Sequence, residues 1–82
     1  MKVPRDLSGT DLAGMLKKLG YSVVRQTGSH MRLTTEQNGE HHVTVPNHSQ
    51  LKLGTISGVL NDVAQHFGMN RDELLTKLLG NR

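Results

Sequence analysis

The chain has 82 residues and no cysteine, with ten Lys and Arg against seven Asp and Glu for a net charge of +3. That length predicts one domain spanning 1–82 with a thin core that buries about 60% of its unfolded surface, and the lack of cysteine excludes a disulfide scaffold or a cysteine-built zinc module. No apolar run approaches the roughly 20 residues of a membrane span, and the start Met1-Lys2-Val3-Pro4-Arg5-Asp6 carries no apolar stretch of a signal peptide, so a soluble cytoplasmic protein is expected.

Leu12, Met15, Leu16 and Leu19 recur at helical spacing and predict a first amphipathic helix. Ser8 is its N-cap, Asp11 lies in its first turn and Gly20 stops it. Tyr21 to Gln26 is rich in β-formers and reads as a strand, followed by a turn at Thr27-Gly28-Ser29. His30 to Thr35 alternates, with Met31, Leu33 and Thr35 on one side and His30, Arg32 and Thr34 on the other. Asn38-Gly39 is a hairpin signal, and His41 to Val45 forms a third strand with Val43 and Val45 opposed to His42 and Thr44. Pro46 ends it. Ile56, Val59, Leu60, Val63 and Phe67 mark a second amphipathic helix stopped by Gly68. Asn70 and Glu73 open a short third helix with a Leu74, Leu75, Leu78 and Leu79 side, within a helical extension over 70–80.

Short turns between the strands imply an antiparallel meander. Two helices over its apolar face give a two-layer α+β fold. The other face is then open and carries His30, Arg32, His42 and Thr44. The charge is also uneven. Residues 1–35 hold six basic groups and two acids, whereas residues 36–82 hold four basic groups and five acids. Basic excess in one half favours a polyanion such as nucleic acid, although +3 overall also serves solubility alone.

RNA can be cut without a metal because its 2′-hydroxyl is an internal nucleophile. The reaction needs a base, an acid and positive charge on the phosphorane. Histidine suits either proton-transfer role near neutral pH. Arg32 and Lys52 are candidates for the charge, and the backbone N–H groups of Gly28 and Ser29 for an anion-binding turn. A lone strand histidine is nonetheless more often structural than catalytic, so composition leaves both readings open.

Three blocks sharpen this. Val24-Arg25-Gln26-Thr27-Gly28-Ser29-His30 resembles the signature of the HicA toxin family, the mRNA interferases of type II toxin–antitoxin systems. Val43-Thr44-Val45-Pro46-Asn47-His48 resembles that family's second block, and Leu51-Lys52-Leu53-Gly54-Thr55-Ile56 its third, an entry to the second helix. They stand in the family's order across about residues 8–68. The resemblance implies a fold like the double-stranded-RNA-binding domain, α-β-β-β-α. It also implies an endoribonuclease whose activity needs a histidine, carried here by His30, and a HicB-like antitoxin that covers the RNA surface. Residues 70–82 extend past the family pattern. Gly28-Ser29-His30-Met31 also matches the scar of a cleaved affinity tag, but its place inside the chain between two strands excludes that reading.

The remaining candidates carry competing readings. Lys17, Lys18 and Arg25 serve either RNA phosphates or a solvated surface. His48 is either a second catalytic group or a loop residue fixing the Pro46 turn, the latter favoured. His30, His41, His42 and His48 match no standard metal-ligand spacing, and His41 and His42 point to opposite faces, so no metal or other cofactor is expected. His66 and Met69 read as packing or surface residues. With Tyr21 and Phe67 the sole aromatics, base-stacking platforms are disfavoured. The competing function is a non-catalytic RNA-binding module of the same fold; a DNA-binding regulator lacks a helix-turn-helix signal. The expected partners are mRNA and the antitoxin, with no membrane.

Overall fold

The computed structural model describes residues 6–79. Helix α1 (Gly9–Leu16) opens with a full capping box: the Ser8 hydroxyl accepts the Asp11 N–H and the Asp11 carboxylate accepts the Ser8 N–H. Such a cap contributes about 1 kcal/mol. The helix tightens into a 3₁₀ turn, Lys17–Leu19, and Gly20 closes it in the left-handed region at φ 85°. The predicted helix is therefore present, with its last turn wound more tightly than the apolar spacing alone implies.

Strand β1 (Ser22–Thr27) pairs antiparallel with β2 (His30–Thr35), which pairs antiparallel with β3 (His41–Pro46). This is the expected meander. β1 is displaced by one residue from the sequence reading. The Tyr21 N–H bonds to the Leu16 carbonyl and finishes the helix end, so the strand starts at Ser22. At its other end Thr27 pairs with His30 and closes a two-residue turn. Gly28 occupies the first central position of that turn at φ 57°, a conformation that favours glycine. Pro46 is the last residue of β3 rather than the first beyond it.

Helix α2 (Leu53–Phe67) and helix α3 (Arg71–Leu78) complete the order. α3 has the second capping box, Asn70 with Glu73. α1 and α2 lie against one face of the sheet, and α3 leans on α2 and the 3₁₀ turn. The arrangement is an α+β fold of the α-β-β-β-α type with an added helix. On the inner face Met31, Leu33, Val43 and Val45 meet Leu12, Leu16, Ile56, Leu60 and Val63, all buried. The leucines of α3 extend that core: Leu74, Leu75 and Leu78 are almost wholly buried. Gly9 lets α1 approach the end of β3, since a Cβ there would overlap the Pro46 carbonyl oxygen.

β1 differs from its neighbours in contributing nothing to the core. All six of its residues are exposed. Its ladder is interrupted at Val24, so that Val23 opposes Leu33 but Arg25 opposes Arg32. This bulge re-phases the strand. Tyr21 and Val23 keep the parity of the inner face while Arg25 and Thr27 keep that of the outer one.

Candidate RNA-cleaving face

Among the described residues, no element covers the outer face of the sheet. Its residues run in three cross-strand rows: Thr27, His30 and Pro46; Arg25, Arg32 and Thr44; Ser22, Thr34 and His42. No carboxylate occurs in these rows. Burial of Met31, Leu33 and Thr35 on the inner face forces His30, Arg32 and Thr34 outward, as the alternation predicts.

His30 is the first residue of β2 and stands beside the Gly28-Ser29 turn. That turn is fixed from below, because the Ser29 carbonyl accepts the Asn47 N–H at 2.6 Å. The imidazole is exposed, and among the described residues it makes no hydrogen bond. Arg32 lies two residues along the same strand, about 6.6 Å away in Cα position. Arg25 is directly opposite Arg32, with Cβ atoms at such a pairing about 5 Å apart. Both guanidinium groups are exposed and, among the described residues, neither has an ion-pair partner. Like charges directly opposite each other destabilise a sheet, so the pair is not there for stability. An anion lying over both would relieve the repulsion.

The other sequence candidates are distributed elsewhere. Lys52 is the N-cap residue of α2, in the helical layer, and makes no side-chain capping bond. Its positive charge opposes the dipole of that helix, a local cost of about 0.3–1 kcal/mol. Lys17 and Lys18 fall at the far end of α1, where the Thr35 hydroxyl bonds the Leu19 carbonyl, five residues along β2 from His30. They are not brought to His30. The Lys18 ammonium instead donates to the Leu78 carbonyl at 2.9 Å, so it caps the end of α3. His48 uses its carbonyl to accept the Gly9 N–H, a backbone role that holds α1 to the loop after β3.

His42 shares the outer face with His30 but sits opposite Thr34, four residues along. That places it about 13 Å away along the strand, too far for both rings to meet one reacting group. Its ring is also engaged, with the Thr34 hydroxyl at 2.6 Å and the Glu40 carboxylate at 3.4 Å.

A second polar cluster escaped the sequence reading. It lies at the opposite end of the sheet, on the helical side. The Tyr21 hydroxyl lies 2.7 Å from His41 Nδ1, and His41 Nε2 lies 3.3 Å from the Asp62 carboxylate. The His66 ring stacks on His41 with centroids 4.4 Å apart. His66 Nε2 faces the Gln37 and Gly39 carbonyls at 3.0 and 3.1 Å, so that nitrogen carries a proton and donates. Burial, reinforced by the Asp62 charge, pushes the Tyr21 phenol up to about 12. Each hydrogen bond of the cluster joins residues 20 or more positions apart in sequence, so no local motif marks it.

Among the described residues no three His, Asp or Glu side chains are grouped to hold a metal ion, and no helix is long and apolar enough to cross a membrane. A cavity of about 230 Å³ beside the start of α2 is lined by Asp6, Gln50, Leu51, Leu53 and Ile56, and so is separate from the outer face. His30 and the arginines thus stand on an open sheet rather than in this cavity. Small molecules are usually held in concave, mostly apolar sites; an open polar sheet suits a polymer better.

The model of the family described as HicA toxin of bacterial toxin–antitoxin systems matches residues 9–64. No curated protein and no solved structure matches the chain.

Proposed function

The chain belongs to the HicA toxin family of bacterial toxin–antitoxin systems, and from that premise we propose that it is a metal-independent endoribonuclease that cuts mRNA with His30. The observation that carries this reading is the pairing of an imidazole with two guanidinium groups on one open face, all three without a partner among the described residues. The imidazole provides proton transfer, and the arginines provide charge for a phosphate.

In this reaction a 2′-hydroxyl attacks its own 3′-phosphorus. The 2′-proton passes to a base, the bond from phosphorus to the 5′-oxygen breaks, and that oxygen takes a proton. The products are a 2′,3′-cyclic phosphate and a 5′-hydroxyl. A neutral imidazole can accept the first proton and an imidazolium can donate the second, so His30 is competent in either role. A positioned acid or base contributes about 10²- to 10⁴-fold. Arg25 and Arg32 stabilise charge on the phosphorane or hold its neighbour. The Gly28-Ser29 turn sets His30 at the edge of the face, and Lys52 adds positive potential from the start of α2.

A HicB-like antitoxin is the partner expected to cover this face and silence the toxin in the cytoplasm, where the mRNA lies. The purified protein is expected to cut single-stranded RNA in EDTA and leave cyclic phosphate ends. Strict dependence on added metal would overturn the chemistry. Tight RNA binding without cutting would instead favour a non-catalytic RNA-binding module.

A further inference from the structure

We propose that the outer face holds one RNA strand lengthwise along β2, with the scissile phosphate at His30 and the adjacent phosphate gripped between Arg25 and Arg32. The inference rests on the RNA-cleaving reading and specifies where and how the substrate lies. Three observations carry it.

The first is direction. Across the sheet from His30 the neighbours are Thr27 and Pro46, which carry no charge. Along β2 the next outward residue is Arg32, with Arg25 on one side and the Thr44 hydroxyl on the other. A polyanion that reaches His30 therefore finds its positive charge lengthwise. Two residues of strand, about 6.6 Å, are also comparable with the step between successive phosphates of an extended single strand. Lys17 and Lys18 belong to the helical layer, and Lys18 is held by the Leu78 carbonyl, so they do not extend this line.

The second observation is width. Three strands span only about 10 Å between their outer axes. Their outward rows carry a single charged position, the Arg25–Arg32 row. One phosphate chain matches it; a duplex presents two.

The third is the arginine pair itself. Two guanidinium groups are set opposite each other with no carboxylate in the rows of the face. Each guanidinium presents N–H donors in a fork that fits two phosphate oxygens. Two forks from adjacent strands can hold the same phosphate from opposite sides. The Val24 bulge allows this, since it lets Arg25 keep the outward parity while Tyr21 enters the core.

The test uses a short labelled RNA with one mapped cleavage site and a neutral methylphosphonate at the link immediately 5′ or immediately 3′ of it. At one of these two positions the wild-type KM is expected to rise about ten-fold, the loss typical of a charged hydrogen bond, with kcat nearly unchanged. Arg25→Gln and Arg32→Gln should each raise KM about ten-fold on unmodified RNA and become indifferent to the methylphosphonate. Lys77→Gln, on α3, should match wild type. Because the two arginines repel in the free protein, neither substitution should lower Tm.

Tolerance of the neutral link at both positions would overturn the track while leaving RNA cleavage intact. So would arginine variants that keep their sensitivity, or duplex RNA cut as well as single strands. Unchanged RNA kinetics with weakened antitoxin capture would also overturn it, assigning the arginines to a protein interface. Should wild type cut no RNA, the nuclease reading fails and the Kd for the unmodified strand decides the track: a ten-fold loss in R25Q/R32Q sustains it, and equal Kd values overturn it.

Discussion

His30 and His41 stand on the same small sheet in opposite circumstances. His41 is hydrogen-bonded at both ring nitrogens, by Tyr21 and Asp62, and stacked on His66. His30 is exposed and, among the described residues, without a hydrogen-bond partner. The same contrast holds for the cations. Lys18 is committed to the end of α3, whereas Arg25 and Arg32 face each other without a counter-charge among the described residues. Polar groups that fasten a fold have their partners inside it. Groups reserved for a substrate, the role proposed for His30 and the two arginines, keep their capacity free at some cost to stability.

The comparison predicts which substitutions affect activity and which affect stability. The largest effect is expected from His30→Ala, a loss of about 10²-fold or more in RNA cleavage with an unchanged melting temperature; equal activity in that variant would remove His30 from the site. On the reverse side of the same strand, Leu33→Ala should cost about 2–5 kcal/mol of stability, measured by urea unfolding, while the surviving folded fraction cuts at the normal rate. Tyr21→Phe should cost about 1 kcal/mol through the lost bond to His41 and leave cleavage alone.

The Tyr21 phenol also predicts a pH signature. Its folded value is raised to about 12 from an ordinary 10, so the folded state holds this proton more tightly than the unfolded chain. The resulting stability is complete below pH 10 and is lost as pH rises toward 12. Tyr21→Phe should flatten that part of the stability profile; an unchanged alkaline slope would deny Tyr21 its part. The smallest effect belongs to His42→Ala, expected to leave cleavage within about two-fold and stability within about 0.5 kcal/mol. A large kcat loss there would mean that the His30 face extends further than its geometry indicates.

The β2 strand was legible to the residue because its limits are punctuated by Gly28 and Asn38-Gly39 and its alternation is unbroken. Both capping boxes were legible for the same local reason. The outward placement of Arg25 was not. It depends on a bulge, and an extra residue in a ladder leaves no mark in hydrophobic periodicity. The start of α2 at Leu53 was blurred because its N-cap is Lys52, which offers no capping side chain. The Tyr21, His41, Asp62 and His66 cluster was invisible because the link before β1, strand β3 and helix α2 contribute its members separately. Lys17 and Lys18 were legible as charges but not as positions: only the packing of α3 shows that Lys18 is already engaged.

The phase of β2 and the phase of β1 have different guarantors. β2 is central, and Met31, Leu33 and Thr35 anchor it in the core. β1 buries none of its residues, so near His30 its alignment depends on the two-residue Gly28-Ser29 turn. An added residue there that slips β1 by one position should leave His30 in place and turn Arg25 to the other side of the sheet. Substrate affinity can then vary by insertion, independently of the histidine and without disturbing the core. On the RNA-cleaving reading proposed above, the register that one surface turn sets would tune how tightly such a protein engages its substrate.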